Sequence, residues 1–186
     1  IVPSVSPAAP TAADLRVMNR KDLVNLYHGL DAPRFDEMHG EFPASILDQG
    51  SLGSYLFGVF GVNIKGRWLC KAFEPMGRND GHGYNSFQTR TGVRRIWRMR
   101  TRVGPSKLDH DDNDDNDAFH LEYADFNSFR QGGPVGAQMH TMFDEVRKVQ
   151  EGVYLGIGRF GFTTRTKSQL RPFLLEGPVA SFVGPD

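Results

Sequence analysis

The chain has 186 residues, enough for one domain with a sizeable core. Its 22 basic and 22 acidic side chains cancel, so no overall field draws it onto nucleic acid or an anionic membrane, and charge-driven binding must be local. The single cysteine, Cys70, excludes an internal disulfide and a cysteine-based zinc site, and slightly favours a reducing, cytoplasmic compartment.

In chain order, IVPSVSPAAPTAA (1–13) reads as a flexible leader or the stub of a processed precursor, since it lacks the charged start and apolar core of a secretory signal. No apolar run reaches the roughly 20 residues of a membrane helix. Asp14 before LRVMNRKDLVNLYHGL predicts one amphipathic helix, with Leu15, Met18, Leu23 and Leu26 near one stripe and Gly29 as its stop. The next residues mix turn formers with apolar side chains. They read as short helices or irregular chain, which completes a helical extension over 14–64 packed on the main body.

From Lys65 the pattern changes to short alternating runs punctuated by Gly, Pro and Asn. The strand candidates are RWLCKAFE, GYNSFQTR, VRRIWRMRTRV, FHLEYADF, AQMHTMFDEVRKV, GVYLGIGRFGFTTR and RPFLLEGPVASFV. The expected fold is mainly β, an antiparallel barrel of about seven to nine strands over 65–186, because closing the sheet removes its edges. Glycines in GIGRFG match a dinucleotide fingerprint in spacing but have no helix behind them. They fit better as places where a strand coils or a ring approaches the backbone.

Gly66-Arg67-Trp68, at the start of the first run and preceded by helical chain, resembles the G-x-W signature of the lipocalins and wider calycin barrels. That resemblance implies a tryptophan closing the barrel floor, with an arginine from a late strand across its ring; Arg159, Arg165 and Arg171 are the candidates. GRWLCKAFEP and FDEVRKVQEGVYLGIG also resemble the bacterial GXWXG-type barrel domains in order and flavour. The extension is far longer than in a typical lipocalin and the cysteines of many secreted members are missing, so a secreted transport role is not carried over.

Strict alternation sets Trp68, Cys70 and Ala72 on one face, so an inward tryptophan brings the thiol with it. In VRRIWRMRTRV it separates Arg94, Ile96, Arg98, Arg100 and Arg102 from the more apolar Arg95, Trp97, Met99, Thr101 and Val103. Pairing with FHLEYADF would place His120 and Glu122 across from the first set as a salt ladder. Arg95, on the second, is a candidate anchor for a ligand carboxylate at the barrel mouth. The acidic stretch 109–117 begins like an EF-hand but has no glycine at its sixth position and no flanking helices, and reads as a solvated hairpin tip.

In AQMHTMFDEV, His140, Met142 and Asp144 share one face and Met139, Thr141, Phe143 and Glu145 the other; the greasier second face is expected inside. His140 with Asp144, or Tyr123, are the acid–base candidates. The expected ligand-binding set is Trp68, Cys70, Tyr84, Asn85, Arg95, Trp97, Met99, Tyr123, Phe143 and Tyr154, with no cofactor and no metal. The function expected is binding of a small, mainly hydrophobic molecule such as a lipid, fatty acid, terpenoid or pigment. The alternative is a cofactor-free isomerase or cyclase, and a structural barrel with a filled interior stays open. Nucleic acid is not an expected partner, and a homodimer is left open.

Overall fold

Eight antiparallel strands close into one barrel in the computed structural model, which describes residues 8–108 and 116–186. They are β1 (Gly40–Ile46), β2 (Arg67–Pro75), β3 (Gly81–Thr89), β4 (Gly92–Pro105), β5 (Asp117–Glu122), β6 (Phe143–Gln150), β7 (Val153–Arg159) and β8 (Arg171–Glu176). Each pairs with the next and β8 returns to β1, so the sheet has no open edge. The acidic residues 109–115 lie outside the described part of the chain.

The barrel starts earlier than Lys65. Its first strand, Gly40-Glu-Phe-Pro-Ala-Ser-Ile46, carries a proline and few β-branched residues, and it is extended because both neighbours complete it. Gly40 to Pro43 pair with β2, and Ala44 to Ile46 pair with β8. At Gly40 φ is +109°, and a Cβ there would lie 2.5 Å from the Ala180 carbonyl oxygen.

The expected N-terminal helix is two helices, α1 (Ala12–Val17) and α2 (Arg20–His28). Thr11, rather than Asp14, caps α1, with Asp14 answering as the third residue of a capping box. Asn19 breaks the run because its side chain accepts from the Asp22 N–H and starts a new helix. Leu15, Leu23 and Tyr27 from this pair pack outside the barrel on Leu155, Ile157 and Leu174.

Three late strand candidates are shorter than expected. AQMHTMFDEVRKV divides into the end of helix α4 (Phe129–His140) and β6; the run after Val153 gives way to a short helix, α5 (Thr164–Lys167); and β8 stops at Glu176. The chain beyond β8 runs over the outside of β1 to β4, where Glu41 N–H bonds Ala180 O (2.8 Å), Val179 N–H bonds Glu41 O (2.9 Å) and Asp186 N–H bonds Arg95 O (2.9 Å).

Of three register shifts among the described residues of the sheet, the one in β6 between Lys148 and Gln150 lies away from the site, and the other two reset the faces. In β2, Trp68 pairs with Phe87 and Cys70 with Ser86, so Leu69 is the extra residue and Trp68 shares the inner face with Lys71 and Phe73. In β4, Met99 pairs with Gly83 but Ile96 with Asn85, and Trp97 takes φ 57°, left-handed backbone that a bulky residue seldom adopts. Half the interior is packed solid around Phe42, Phe73, Phe119, Met99 and Tyr154, with ring centroids 5.3 Å apart for Phe73–Phe119 and 5.5 Å for Phe42–Phe73. Gly156 belongs to this packing: the Phe173 ring occupies the place of its missing side chain, a Cβ there falling 2.1 Å from Cζ.

Candidate functional site

The other end of the barrel holds a cavity of about 110 Å³. Its walls come from the start of β2, the bulge of β4, the chain after β5, the start of β6, the end of β7 and the start of β8. α3 (Leu52–Asn63) covers it with Gly58, Gly61 and Val62, and α4 with Val135, Gln138 and Met139. Leu52 and Phe60 of α3 are exposed, so this helix is apolar on both sides.

At the bottom of the cavity lies a buried polar network. Lys71 is 1% exposed and Asp144 fully buried, with Lys71 Nζ donating to Asp144 Oδ2 at 2.8 Å. The ammonium also donates to the Tyr123 hydroxyl (2.5 Å) and to Asn85 Oδ1 (3.2 Å). Tyr123 in turn donates to Asp144 Oδ2 at 3.1 Å, Trp68 Nε1 donates to Asn85 Oδ1 at 3.1 Å, and Asn85 Nδ2 reaches the Trp97 carbonyl at 3.3 Å. The rings of Trp68, Tyr123 and Phe173 lie 5.4, 5.2 and 5.2 Å from the ammonium.

Each local feature follows from the strands. Lys71, Asn85, Tyr123 and Asp144 come from four regions of the barrel wall, and the Leu69 bulge turns Lys71 inward. Burial pushes the Lys71 ammonium pKa down, and the Asp144 carboxylate opposes the fall. Burial, with Asp144 beside it, holds the Tyr123 phenol well above its ordinary value. The one loose end is Asp144 Oδ1, buried with no hydrogen-bond partner among the described residues. It faces Gly158, where a Cβ would come within 2.7 Å of it.

The sequence-derived candidates fall into three places. Trp68, Asn85, Trp97 and Tyr123 line the cavity, as does Asp144. Met99 and Tyr154 point inward but belong to the packed half; burial pushes the Tyr154 phenol up to about 12. Cys70, Tyr84, Arg95 and Phe143 are on the outer face. Cys70 sits against Ser86 Oγ at 2.8 Å, its thiol pushed up to about 11 by burial. The Tyr84 hydroxyl donates to Glu41 (2.7 Å) and is pushed up to about 12 by burial and that carboxylate, while its ring lies 5.0 Å from Phe182. Arg95 does meet carboxylates, but they are the chain's own: Glu41 at 3.7 Å and Asp186 at 4.0 Å. Phe143 packs on His120 outside, reversing the expected faces of this strand and placing Asp144 inside.

His140 is separated from Asp144. It ends α4, exposed, with Nδ1 donating to the carbonyls of Ala124 (3.0 Å) and Asn127 (2.9 Å). The cation over Trp68 is Lys71 and not an arginine from a late strand: Arg159 lies over Phe143, Arg171 over Phe160, and the Arg165 side chain is outside the described residues. The close approaches expected at the GIGRFG glycines are made at Gly156 and Gly158, by the Phe173 ring and the Asp144 carboxylate, whereas Lys71 and Phe173 escaped the sequence reading. The available signal was a lysine inside an apolar strand, which strict alternation from Trp68 turns the wrong way.

Among the described residues no group of three or more His, Cys, Asp or Glu is placed to hold a metal ion, and no helix is long and apolar enough to cross a membrane. The fold is thus a closed eight-stranded antiparallel barrel with a partly polar cavity at the end covered by α3 and α4; a second, outer pocket lies beside Trp97, lined by Lys65, Arg94, Arg95 and Asn127 among others. No protein-family profile and no curated protein matches the sequence. A crystal structure of a protein from Thermomonospora curvata is similar in fold, with a TM-score of 0.54, 16% identity, and coverage of 86% of this chain and 87% of that one.

Proposed function

We propose that the barrel binds a small, mainly hydrophobic molecule at its covered end. The observation that carries this reading is a cavity walled by Trp68, Trp97, Met139, Met142 and Phe173 around one compact polar centre. Few polar groups within an apolar wall is the usual composition of a small-molecule site. Inside the barrel, the filled half leaves the ligand this end. The eight-stranded meander and the Gly66-x-Trp68 start of β2 support a lipocalin-like reading, with the site reached past α3 and α4.

A second reading rests on Asp144. Its free oxygen can take a proton from a bound substrate and return it at another atom of the same molecule, while the positive charge of the neighbouring Lys71 ammonium offsets the charge that develops. That arrangement suits a cofactor-free isomerisation or cyclisation of an apolar substrate.

Native mass spectrometry of freshly purified protein, followed by organic extraction, tests the first reading: a retained small molecule that leaves on removal of the cavity supports it. Filling the cavity with Gly61→Leu should abolish that retention. If the parent carries nothing and both tryptophans, which line the cavity, keep their emission unchanged with every hydrophobic probe, the interior is structural.

A further inference from the structure

We infer that the cavity selects a neutral apolar molecule bearing one hydrogen-bond donor, a hydroxyl above all, and that Asp144 Oδ1 is the atom that receives it. This deepens the cavity-binding reading above and rests on it.

Three observations converge. First, the polar network is otherwise complete. The Lys71 ammonium has three acceptors, Tyr123 accepts and donates, and the Asn85 amide is engaged on both its oxygen and its nitrogen. A ligand that reaches the network therefore finds no spare donor in it, and an acceptor such as a ketone or ether gains nothing there. Second, Asp144 Oδ1 is a fully buried acceptor without a partner, an arrangement that costs free energy until something donates to it. Third, room beside that oxygen exists because position 158 is glycine. Gly158 and Asp144 are directly paired across β6 and β7, both line the cavity, and a Cβ at 158 would reach 2.7 Å from Oδ1.

Charge disfavours the acid at the network, and the other cation lining the cavity, Arg171, is already engaged by Gln169 at 2.8 Å and lies over the Phe160 ring. Lys71 and Asp144 already neutralise one another at 2.8 Å, so a ligand carboxylate would enter as an excess buried negative charge facing a carboxylate oxygen. Arg95, the cation expected to anchor an acid, is on the outer surface with Glu41 and Asp186. A hydroxyl instead donates to an ionised acceptor, the stronger kind of hydrogen bond.

The test uses two isomers and an acid on the full chain: 1-octanol, heptyl methyl ether and octanoate, titrated at neutral pH and followed by tryptophan emission and calorimetry. The expected result is that 1-octanol binds at least about tenfold more tightly than the ether, and octanoate most weakly. Gly158→Ala should bring 1-octanol down to the affinity of the ether and leave the ether unchanged. Asp144→Asn supplies an independent check. The amide oxygen goes to Lys71 and the amide N–H₂ turns to the cavity, so the preference for alcohol over ether should shrink to within about threefold. Equal binding of alcohol and ether by the parent, or tightest binding of octanoate, overturns the inference while leaving the cavity a binding site. Saturable binding of none of the three overturns the cavity reading itself, and this inference with it.

Discussion

Asp144 and Glu145 are consecutive residues of β6, both fully buried, and they do opposite things. Glu145 points outward beneath α2, where Tyr27 and Ser106 donate to Oε2 at 3.0 and 2.7 Å and the Lys107 N–H donates to Oε1 at 2.6 Å. His120 lies 3.4 Å away, and the adjacent Arg147 reaches the carbonyls of Tyr27 (3.0 Å) and Asn116 (3.0 Å). Apart from the His120 contact between β5 and β6, the bonds there tie the N-terminal helices and the β4–β5 connection to the barrel wall. Asp144 points inward, with one oxygen held and the other empty over a cavity. A buried carboxylate satisfied on both oxygens is a fastener, whereas one satisfied on a single oxygen beside open space keeps an acceptor for something else, and burial alone does not distinguish them.

The strongest way to break this comparison is to remove each carboxylate's support. Glu145→Ala should cost about 3–5 kcal/mol in urea denaturation, the range for breaking a buried charged cluster, with the binding of hydrophobic probes to the surviving folded protein unchanged. A loss of probe binding at full stability would mean that the two sides have been assigned the wrong way round. Lys71→Met should cost about 3 kcal/mol, because Asp144 keeps only Tyr123 and must stay buried or take up a proton. The double change Lys71→Met with Asp144→Leu should recover to within about 1 kcal/mol of the parent, or exceed it, since apolar groups of similar size replace a buried pair with little penalty. Such recovery with loss of alcohol selectivity would separate the network's binding role from any stabilising role.

Titration sharpens the contrast further. Burial lowers the His120 pKa from its ordinary 6.5, Glu145 opposing. The unfolded chain then takes up a proton near pH 6.5 that the folded chain refuses until lower pH, so stability should fall as pH drops below about 6.5. His120→Phe should flatten that fall in the acid limb of a melting-temperature profile. On the alkaline side, Cys70 (about 11), Tyr84 and Tyr154 (both about 12) and Tyr123 keep protons that the unfolded chain releases earlier, so stability should decline from about pH 9 upward. Lys71 acts in the opposite sense, because its folded pKa is lowered and the folded chain gives up that proton first. Lys71→Met should therefore steepen the alkaline decline, and an unchanged slope would contradict the burial ascribed to this lysine.

The smallest effect is expected at the cavity cover. α3 contains Gly53, Gly58 and Gly61 in 12 residues, each unfavourable in a helix by about 1 kcal/mol relative to alanine. A Cβ at Gly53 meets nothing within 4 Å, so Gly53→Ala should stabilise the helix by about 0.5–1 kcal/mol. Slower hydrogen exchange of α3 amides and slower probe dissociation in stopped flow would show that the helix must loosen for a ligand to pass. Unchanged dissociation with slower exchange would place the route elsewhere.

One rung of the expected salt ladder between β4 and β5 forms, since charge alternation on paired strands reads directly, but His120 is buried against Glu145 and Arg100 turns to Asp80. Arg102 Nη2 donates to Glu122 at 2.6 Å, with Arg102 paired to His120 in register. Trp68, Asn85, Trp97, Tyr123 and Asp144 were legible as candidates since aromatic and amide side chains in short strands suggest an inner wall. Their grouping was not. The Leu69 and Trp97 bulges each shift one strand by a residue, and with a period of two a single shift exchanges the faces. This is why Cys70 and Arg95 are outside, and why Lys71 went unseen.

By itself the sequence determined that strands would dominate after an N-terminal helical region and that the sheet would be antiparallel, since alternation, turn residues and capping signals are local properties. It also determined the neutrality of the whole and the absence of an internal disulfide, which are matters of composition. Only the tertiary structure decided that Gly40–Ile46 is the closing strand, because that segment is extended by partners from β2 and β8 rather than by its own preference. The tertiary structure alone also joined Lys71, Asn85, Tyr123 and Asp144, residues up to 73 positions apart, into one network. Barrel closure and two bulges bring them together, and both depend on pairings between distant segments that no short stretch of sequence records.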